Sequence, residues 1–201
     1  MPTMKEVANL GLGKLGASRV NNLTPSISTL ENKIASEYPQ WKRGEISKRR
    51  WHFAMKLDII NAGLTTLPNM PDGRIYIFNT PGNMLRALRP KNCTWVIRGQ
   101  FIYDFQNTIN LEYISEVPDN QMSDPLFIDV LACRVAVECA ELATQSPGKR
   151  RDMQVMYAQA IEVAGRMNAF ALEQHQTGGD DKAYTWDTAR QYPSMSGYDN
   201  G

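Results

Sequence analysis

The chain has 201 residues, 42% of them hydrophobic and 21% charged, with a net charge of +1. That is enough for one domain with a sizeable core, or a domain with a smaller insertion. It excludes a membrane-spanning class, because no apolar run approaches the ~18 residues a span needs, and the start "MPTMKEVANL" lacks the basic-then-apolar pattern of a secretory leader.

The near-zero total hides an asymmetry. Residues 1–100 carry 15 Lys+Arg and 6 Asp+Glu, whereas residues 101–201 carry 7 and 15. The halves either neutralise each other within one molecule or meet between neighbours. A strong nucleic-acid binder is more often basic overall. His52 and His175 are the only histidines and lie far apart, so no zinc pattern exists. Cys93, Cys133 and Cys139 are odd in number and read as reduced thiols.

In chain order, "MKEVANLGLGKLG" predicts a short helix with Val7, Leu10 and Leu15 on its apolar side and Gly16 as C-cap. The embedded "GLGKLG" matches the glycine spacing of a dinucleotide fingerprint. That fingerprint needs a preceding strand, and only helix-like residues precede Gly11. A second helix is expected from Thr24-Pro25 or Ser28, the latter paired with Glu31 as a capping box. Leu30, Ile34, Tyr38 and Trp41 form its buried face, Pro39 and Gly44 weaken it, and a basic cluster at 42–50 suits its C-terminal end.

Trp51, Phe53, Met55, Leu57 and Ile59 then alternate with polar residues, the period of a half-buried strand. From Trp51 to about Val117 the chain reads as β. "RIYIF" follows a Pro71-Asp72-Gly73 turn, "TPGNMLRALRP" turns into a short irregular strand, "CTWVIRGQFIYDF" is a hairpin about Gly99, and "TINLEYI" is a further strand. Helix returns after "NQMSDP", with Ser123 as cap and Pro125 in the first turn. In "LFIDVLACRVAVECAELATQ" the polar residues keep to one stripe, so this helix is buried on several sides. Ser146-Pro147 separates it from a second long helix, striped by Met153, Met156, Ala160, Ala164, Met167 and Ala171 and reaching about Gln174. The two helices have expected lengths of roughly 35 and 40 Å. Beyond Gln176 the composition turns rich in Gly, Asp and Ser, yet it keeps Tyr184, Trp186, Tyr192 and Tyr198, aromatics that a disordered tail usually lacks.

The expected fold is α+β: a discontinuous antiparallel helical bundle (residues 1–50 and 120–175), an inserted small antiparallel β domain (51–119) and an extended C-terminal tail (176–201). No catalytic constellation or cofactor site is evident.

Several segments resemble a known family. "VANLGLGKLG" resembles the opening helix of the tail tubular protein A family, the head-to-tail adaptors of short-tailed phages (podoviruses). "WHFAMK" resembles its Trp-x-Phe-Ala. "FNTPGNMLRAL" is similar to its Leu-Pro-x-Asp-x-Leu-Arg, with Thr80 replacing the leucine and Asn83 the acid. "YISEVPD" and "LFIDVLACRVAVECAELATQS" resemble its Tyr-Ile-x-x-Val-x-Asp and the apolar helix after it. The resemblance runs from about residue 5 to 173, and the segments occur in the family's order.

It implies a structural virion protein without enzymatic activity or cofactor, assembled in the host cytoplasm. Twelve copies would form a ring between the portal and a tail nozzle (a tail tubular protein B-like partner). DNA would pass through the ring during ejection, without base-reading contacts. On that basis Leu131 and Val135 are expected at the packing between subunits, the hairpin tip Arg98-Gly99-Gln100 at the nozzle, and Tyr184, Trp186 and Tyr192 on the portal. From the charge split, the basic cluster at 42–50 is expected to meet acidic surface of an adjacent subunit, with a non-specific contact to passing DNA as the alternative. The alternative from another class is a small nucleotide-binding protein or enzyme using the glycine-rich start.

Overall fold

The computed structural model describes residues 2–23, 28–62, 76–89 and 93–176. They form four helices and two three-stranded antiparallel sheets, an α+β arrangement.

Helix α1 (Met4–Leu15) begins with a capping box: Thr3 Oγ1 accepts from Glu6 N–H, and the Glu6 carboxylate accepts from Thr3 N–H. Gly16 ends it in the left-handed conformation at φ 69°. Helix α2 (Thr29–Lys48) starts at Ser28 with the Glu31 box read from sequence, and it continues through Pro39. Helix α3 (Pro125–Thr144) takes its cap from Asp124, whose carboxylate accepts from Leu126 N–H and Phe127 N–H, rather than from Ser123. It ends at Gln145, and α4 (Pro147–Gln176) follows.

Helix α3 packs against all three other helices. Ten of its residues, from Phe127 to Ala140, are buried, as an all-round apolar helix requires. The closest approach is to α1. A Cβ on Gly11 would stand 2.6 Å from the Ala132 carbonyl oxygen and 3.0 Å from the Val135 Cβ, so only glycine fits. Leu10, expected on the buried side of α1, is 52% exposed, because Val7, Ala8, Gly11, Leu12 and Leu15 make the actual contact face.

The strand expected from Trp51 begins later. Residues His52–Ala54 form a single 3-10 turn, and β1 is Met55–Asn61. Trp51 is fully buried. Its indole N–H donates to the Glu45 carbonyl at 2.9 Å, and its ring meets Phe127 edge-on at 5.0 Å. The tryptophan therefore nails the end of α2 to α3 before the chain turns into the sheet.

The remaining strands are β2 (Tyr76–Asn79), β3 (Met84–Leu88), β4 (Val96–Arg98), β5 (Phe101–Asp104) and β6 (Thr108–Ser115). One sheet has the order β1-β6-β3 and the other β2-β5-β4. The predicted hairpin is present as β4–β5, with Gly99 at φ 62° in its two-residue turn. The Pro71-Asp72-Gly73 turn and the Thr24-Pro25 helix start lie outside the described residues.

Two apolar cores result. The larger joins the helices to Trp51, Ala54, Leu88, Ile114 and Val117, so the first sheet is rooted in the helical core. The smaller gathers Phe78, Trp95, Ile102, Ile109, Leu111 and Tyr113 between the strands. The alternating face of β1 does not behave as its period suggested. Leu57 and Ile59 are 69% and 72% exposed. Lys56, Asp58 and Ile60 stand opposite Tyr113, Leu111 and Ile109 of β6. Of these three only Ile60 is partly buried, against the smaller core, while Met55 packs on the larger one.

Candidate functional site

Among the described residues, the long final helix has one face in the core and another that none of them covers. Met153, Tyr157, Ala160, Ile161, Ala164 and Asn168 make up the inner face. The spacing i, i+4, i+7, i+8, i+11, i+15 is that of one helical side. Met156, Val163, Met167 and Phe170 recur at i, i+7, i+11 and i+14 on a second side. Val163, Met167 and Phe170 are more than half exposed and Met156 more than a third. A shallow groove runs beside this stripe, floored by Leu126, Met156, Ala160 and Val163. At its rim Lys14 of α1 bonds Asp129 of α3 at 2.8 Å. That bond raises the Lys14 pKa above its ordinary value, with partial burial opposing it.

The sequence stripe and the real one differ in phase. Met156 and Met167, expected in the core, are outward, while Tyr157 and Asn168 take the inward positions. Both carry polar atoms, which hid them from an apolar count. Each is satisfied where it lies. Tyr157 O–H donates to Glu45 at 2.8 Å. Asn168 accepts from His52 N–H at 2.9 Å and donates to the Arg50 carbonyl at 2.6 Å.

The basic cluster at 42–50 is largely engaged inside its own chain. Lys42 bonds Asp119 at 2.6 Å, and Arg43 forms two parallel bonds of 2.8 Å with Glu116. Lys48 donates to Glu45 at 2.6 Å and to Tyr157 Oη at 3.0 Å. Arg49 lies over Gly165, where a Cβ would meet its guanidinium at 1.9 Å. Lys42 and Arg43 reach acids of their own chain because the fold brings α2 beside residues 116–119.

Glu45 is the centre of this network. Its side chain is 1% exposed and takes charge-assisted hydrogen bonds from α2 and α4, with Arg134 of α3 at 3.9 Å. For Lys48, burial works to lower the pKa, but the bonds to Glu45 and Tyr157 outweigh it and the net shift is upward. Burial likewise pushes the Tyr157 hydroxyl up, aided by Glu45 and opposed by Lys48. Among the polar groups of the described residues, this set joins three helices and holds α4 in register.

Leu131 and Val135 are fully buried within the chain, facing its own α1 and core. Within the chain, α3 packs against α1, α2 and α4. Arg98 and Gln100 are exposed at the β4–β5 turn. Gln100 is also tied back to the sheet, its carbonyl accepting from Thr80 N–H at 3.2 Å and Thr80 Oγ1–H at 3.0 Å. Tyr184, Trp186 and Tyr192 lie outside the described residues. The glycine fingerprint is accounted for by packing and capping: Gly11 presses on α3, Gly13 faces open space and Gly16 is the C-cap.

Cys133 and Cys139 are buried free thiols, and burial pushes the Cys139 pKa up to about 12. Among the described residues, no group of three His, Cys, Asp or Glu side chains is placed to hold a metal ion, and no helix is long and apolar enough to cross a membrane. Compared with models of known protein families and with curated proteins, the chain matches none.

Proposed function

We propose that the chain is a structural subunit of a ring joining the portal of a short-tailed phage to its tail nozzle, through which DNA passes at ejection. The observation that carries this reading is the outward face of α4. Met156, Val163, Met167 and Phe170 form a continuous apolar stripe on a helix whose inner face is already satisfied. A monomer has no use for such a stripe, whereas a subunit packed side by side with copies of itself buries it. The order of the family-like segments along residues 5–173 supports the same reading.

In this reading the four helices form the adaptor bundle, from residues 1–50 and 120–175, and the β segment 51–119 is an insertion that projects towards the nozzle. The β4–β5 turn at Arg98-Gly99-Gln100 is its exposed tip. Packing between copies runs through α4. Passing DNA meets the ring without base-reading contacts. The nucleotide-binding alternative is disfavoured by Gly11, which is in contact with α3 and has no room to approach a phosphate.

The test is electron microscopy and light scattering of the purified chain, alone and mixed with portal particles. Rings, or a ring-shaped cap on the portal, are expected. A chain that stays monomeric at every concentration and does not bind portal would overturn the proposal.

A further inference from the structure

Helix α4 is fastened differently from the helices beside it. Helix α3 buries ten side chains, and α1 presses on it so closely that only glycine fits at position 11. Of the described side chains of α4, only Met153, Ala164 and Asn168 are buried, with Tyr157, Ala160 and Ile161 partly so. Its apolar hold on the core is one methionine, one isoleucine, two alanines and a tyrosine ring, which is little for a helix of 30 residues.

Polar contacts supplement this hold, and they converge on one short stretch. Tyr157 O–H donates to Glu45 at 2.8 Å, and Lys48 Nζ donates to Tyr157 Oη at 3.0 Å. Further along, Arg49 lies against Gly165, where a Cβ would stand 1.9 Å from its guanidinium. Asn168 then accepts from His52 N–H at 2.9 Å and donates to the Arg50 carbonyl at 2.6 Å. Residues 45–52, the end of α2 and the turn after it, are therefore a seam that grips α4 at Tyr157, Gly165 and Asn168.

The link from α3 to α4 has the features of a hinge. Gln145 is the one described non-glycine residue with positive φ, at 54°. Glycine is the usual occupant of such a position after a helix, because a Cβ there is strained. Pro147 lacks the N–H that would carry α3 on into α4, and Gly148 follows it. None of residues 145–148 is buried. Arg150 and Glu141 pair across the link at 2.8 Å, but both are exposed, so the pair holds it weakly.

We propose that α4 opens from the α1–α3 core as a single unit, turning about residues 145–148, and that the 45–52 seam is the latch that closes it. The latch is polar, so opening exchanges its hydrogen bonds for bonds to water. Parting α1 from α3 would instead strip apolar contacts that water does not replace. Opening also relieves Gln145 of its left-handed conformation and uncovers Glu45, whose side chain is 1% exposed when the latch is closed. None of this depends on ring formation. A subunit that opens this way can re-seat α4 when a neighbour arrives, and a chain that never associates opens all the same.

The test is amide hydrogen exchange by NMR on the full chain and on two full-length variants, Tyr157→Phe and Gly11→Ala. In the native chain the amides of residues 153–168 should share one level of protection, at least about tenfold below that of residues 130–140 in α3. Tyr157→Phe removes a latch bond that is absent from the open and the unfolded chain alike. It should therefore speed exchange in both helices by about tenfold. Gly11→Ala disturbs the α1–α3 contact, which the open form keeps. It should speed exchange in α3 and leave α4 unchanged. Protection of α4 equal to that of α3 in the native chain would overturn the proposal, as would protection that declines steadily from residue 153 to 168. Equal acceleration of both helices by Gly11→Ala would show that they open only together, which also overturns it. If Gly11→Ala does not fold, the other two chains still decide, because α4 exchange that Tyr157→Phe leaves unchanged rules out the latch.

Discussion

Gly11 of α1 and Val135 of α3 touch so closely that a Cβ at position 11 would stand 3.0 Å from the valine Cβ and 2.6 Å from the nearby Ala132 carbonyl. Gly13, two residues on, has nothing within 4 Å. The two glycines look alike in "GLGKLG" and have opposite physical meanings.

Gly11→Ala should therefore push α1 off α3 and cost about 1–3 kcal/mol, the usual range for overpacking. Gly13→Ala should stabilise by up to about 1 kcal/mol, because an exposed helical glycine gives way to a better helix former. Urea unfolding of both variants checks this pair. Equal effects would show that the close approach does not constrain the helix.

The face on which α4 carries a charge should separate folding from assembly. Val163→Asp or Met167→Asp places the charge on an exposed position and should leave the melting temperature nearly unchanged, while abolishing association measured by light scattering. Leu131→Asp or Val135→Asp buries an unpaired charge, which is costly enough to unfold the chain. Normal assembly of Met167→Asp would move the contact surface off this stripe.

Arg43 and Glu116 should give a defined acid response. The paired hydrogen bonds from Arg43 hold the Glu116 carboxyl below its ordinary 4.5, with slight burial opposing. A depressed acid contributes stability that is fully present above the unfolded value and lost as pH falls through the lower folded one. Glu116→Gln should thus lower the melting temperature at pH 7. The difference from the native chain should fade below pH 4.5 and at near-molar salt, since both groups are partly exposed. A difference that persists at low pH would mean the pair is not what Glu116 contributes.

Asn168 should behave as a clasp between α4 and the start of the sheet. Asn168→Ala leaves His52 N–H and the Arg50 carbonyl without these partners and should cost about 1–3 kcal/mol. Asn168→Asp keeps the acceptor for His52 but loses the donor to Arg50, so its cost should fall between. Thermal melts of the two variants in that order are the check.

Local chemistry was legible wherever one residue type has one backbone consequence. Ser28 with Glu31, Gly16, the Gly99 turn and Ser146-Pro147 all fixed element ends from sequence alone. The α+β order of helix, strands and helix followed from a change of apolar period near Trp51 and back near Pro125. Even so, the strand starts at Met55, because burying Trp51 against Phe127 requires a turn first.

What the tertiary structure decided was direction. Periodicity says that residues share a face, not whether that face meets protein or solvent. The alternating Leu57 and Ile59 looked like core and lie outside, because β6 and the smaller core occupy the other side of β1. Met167 looked buried, and Asn168 took its place because its amide could reach the backbone of residues 50 and 52. Charge behaved likewise. Composition showed a basic half and an acidic half, but only the placement of α2 beside residues 116–119 brought Lys42 and Arg43 onto acids of their own chain. Pairing energies depend on distances of a few ångströms, and those distances are properties of the folded packing, not of any local stretch of sequence.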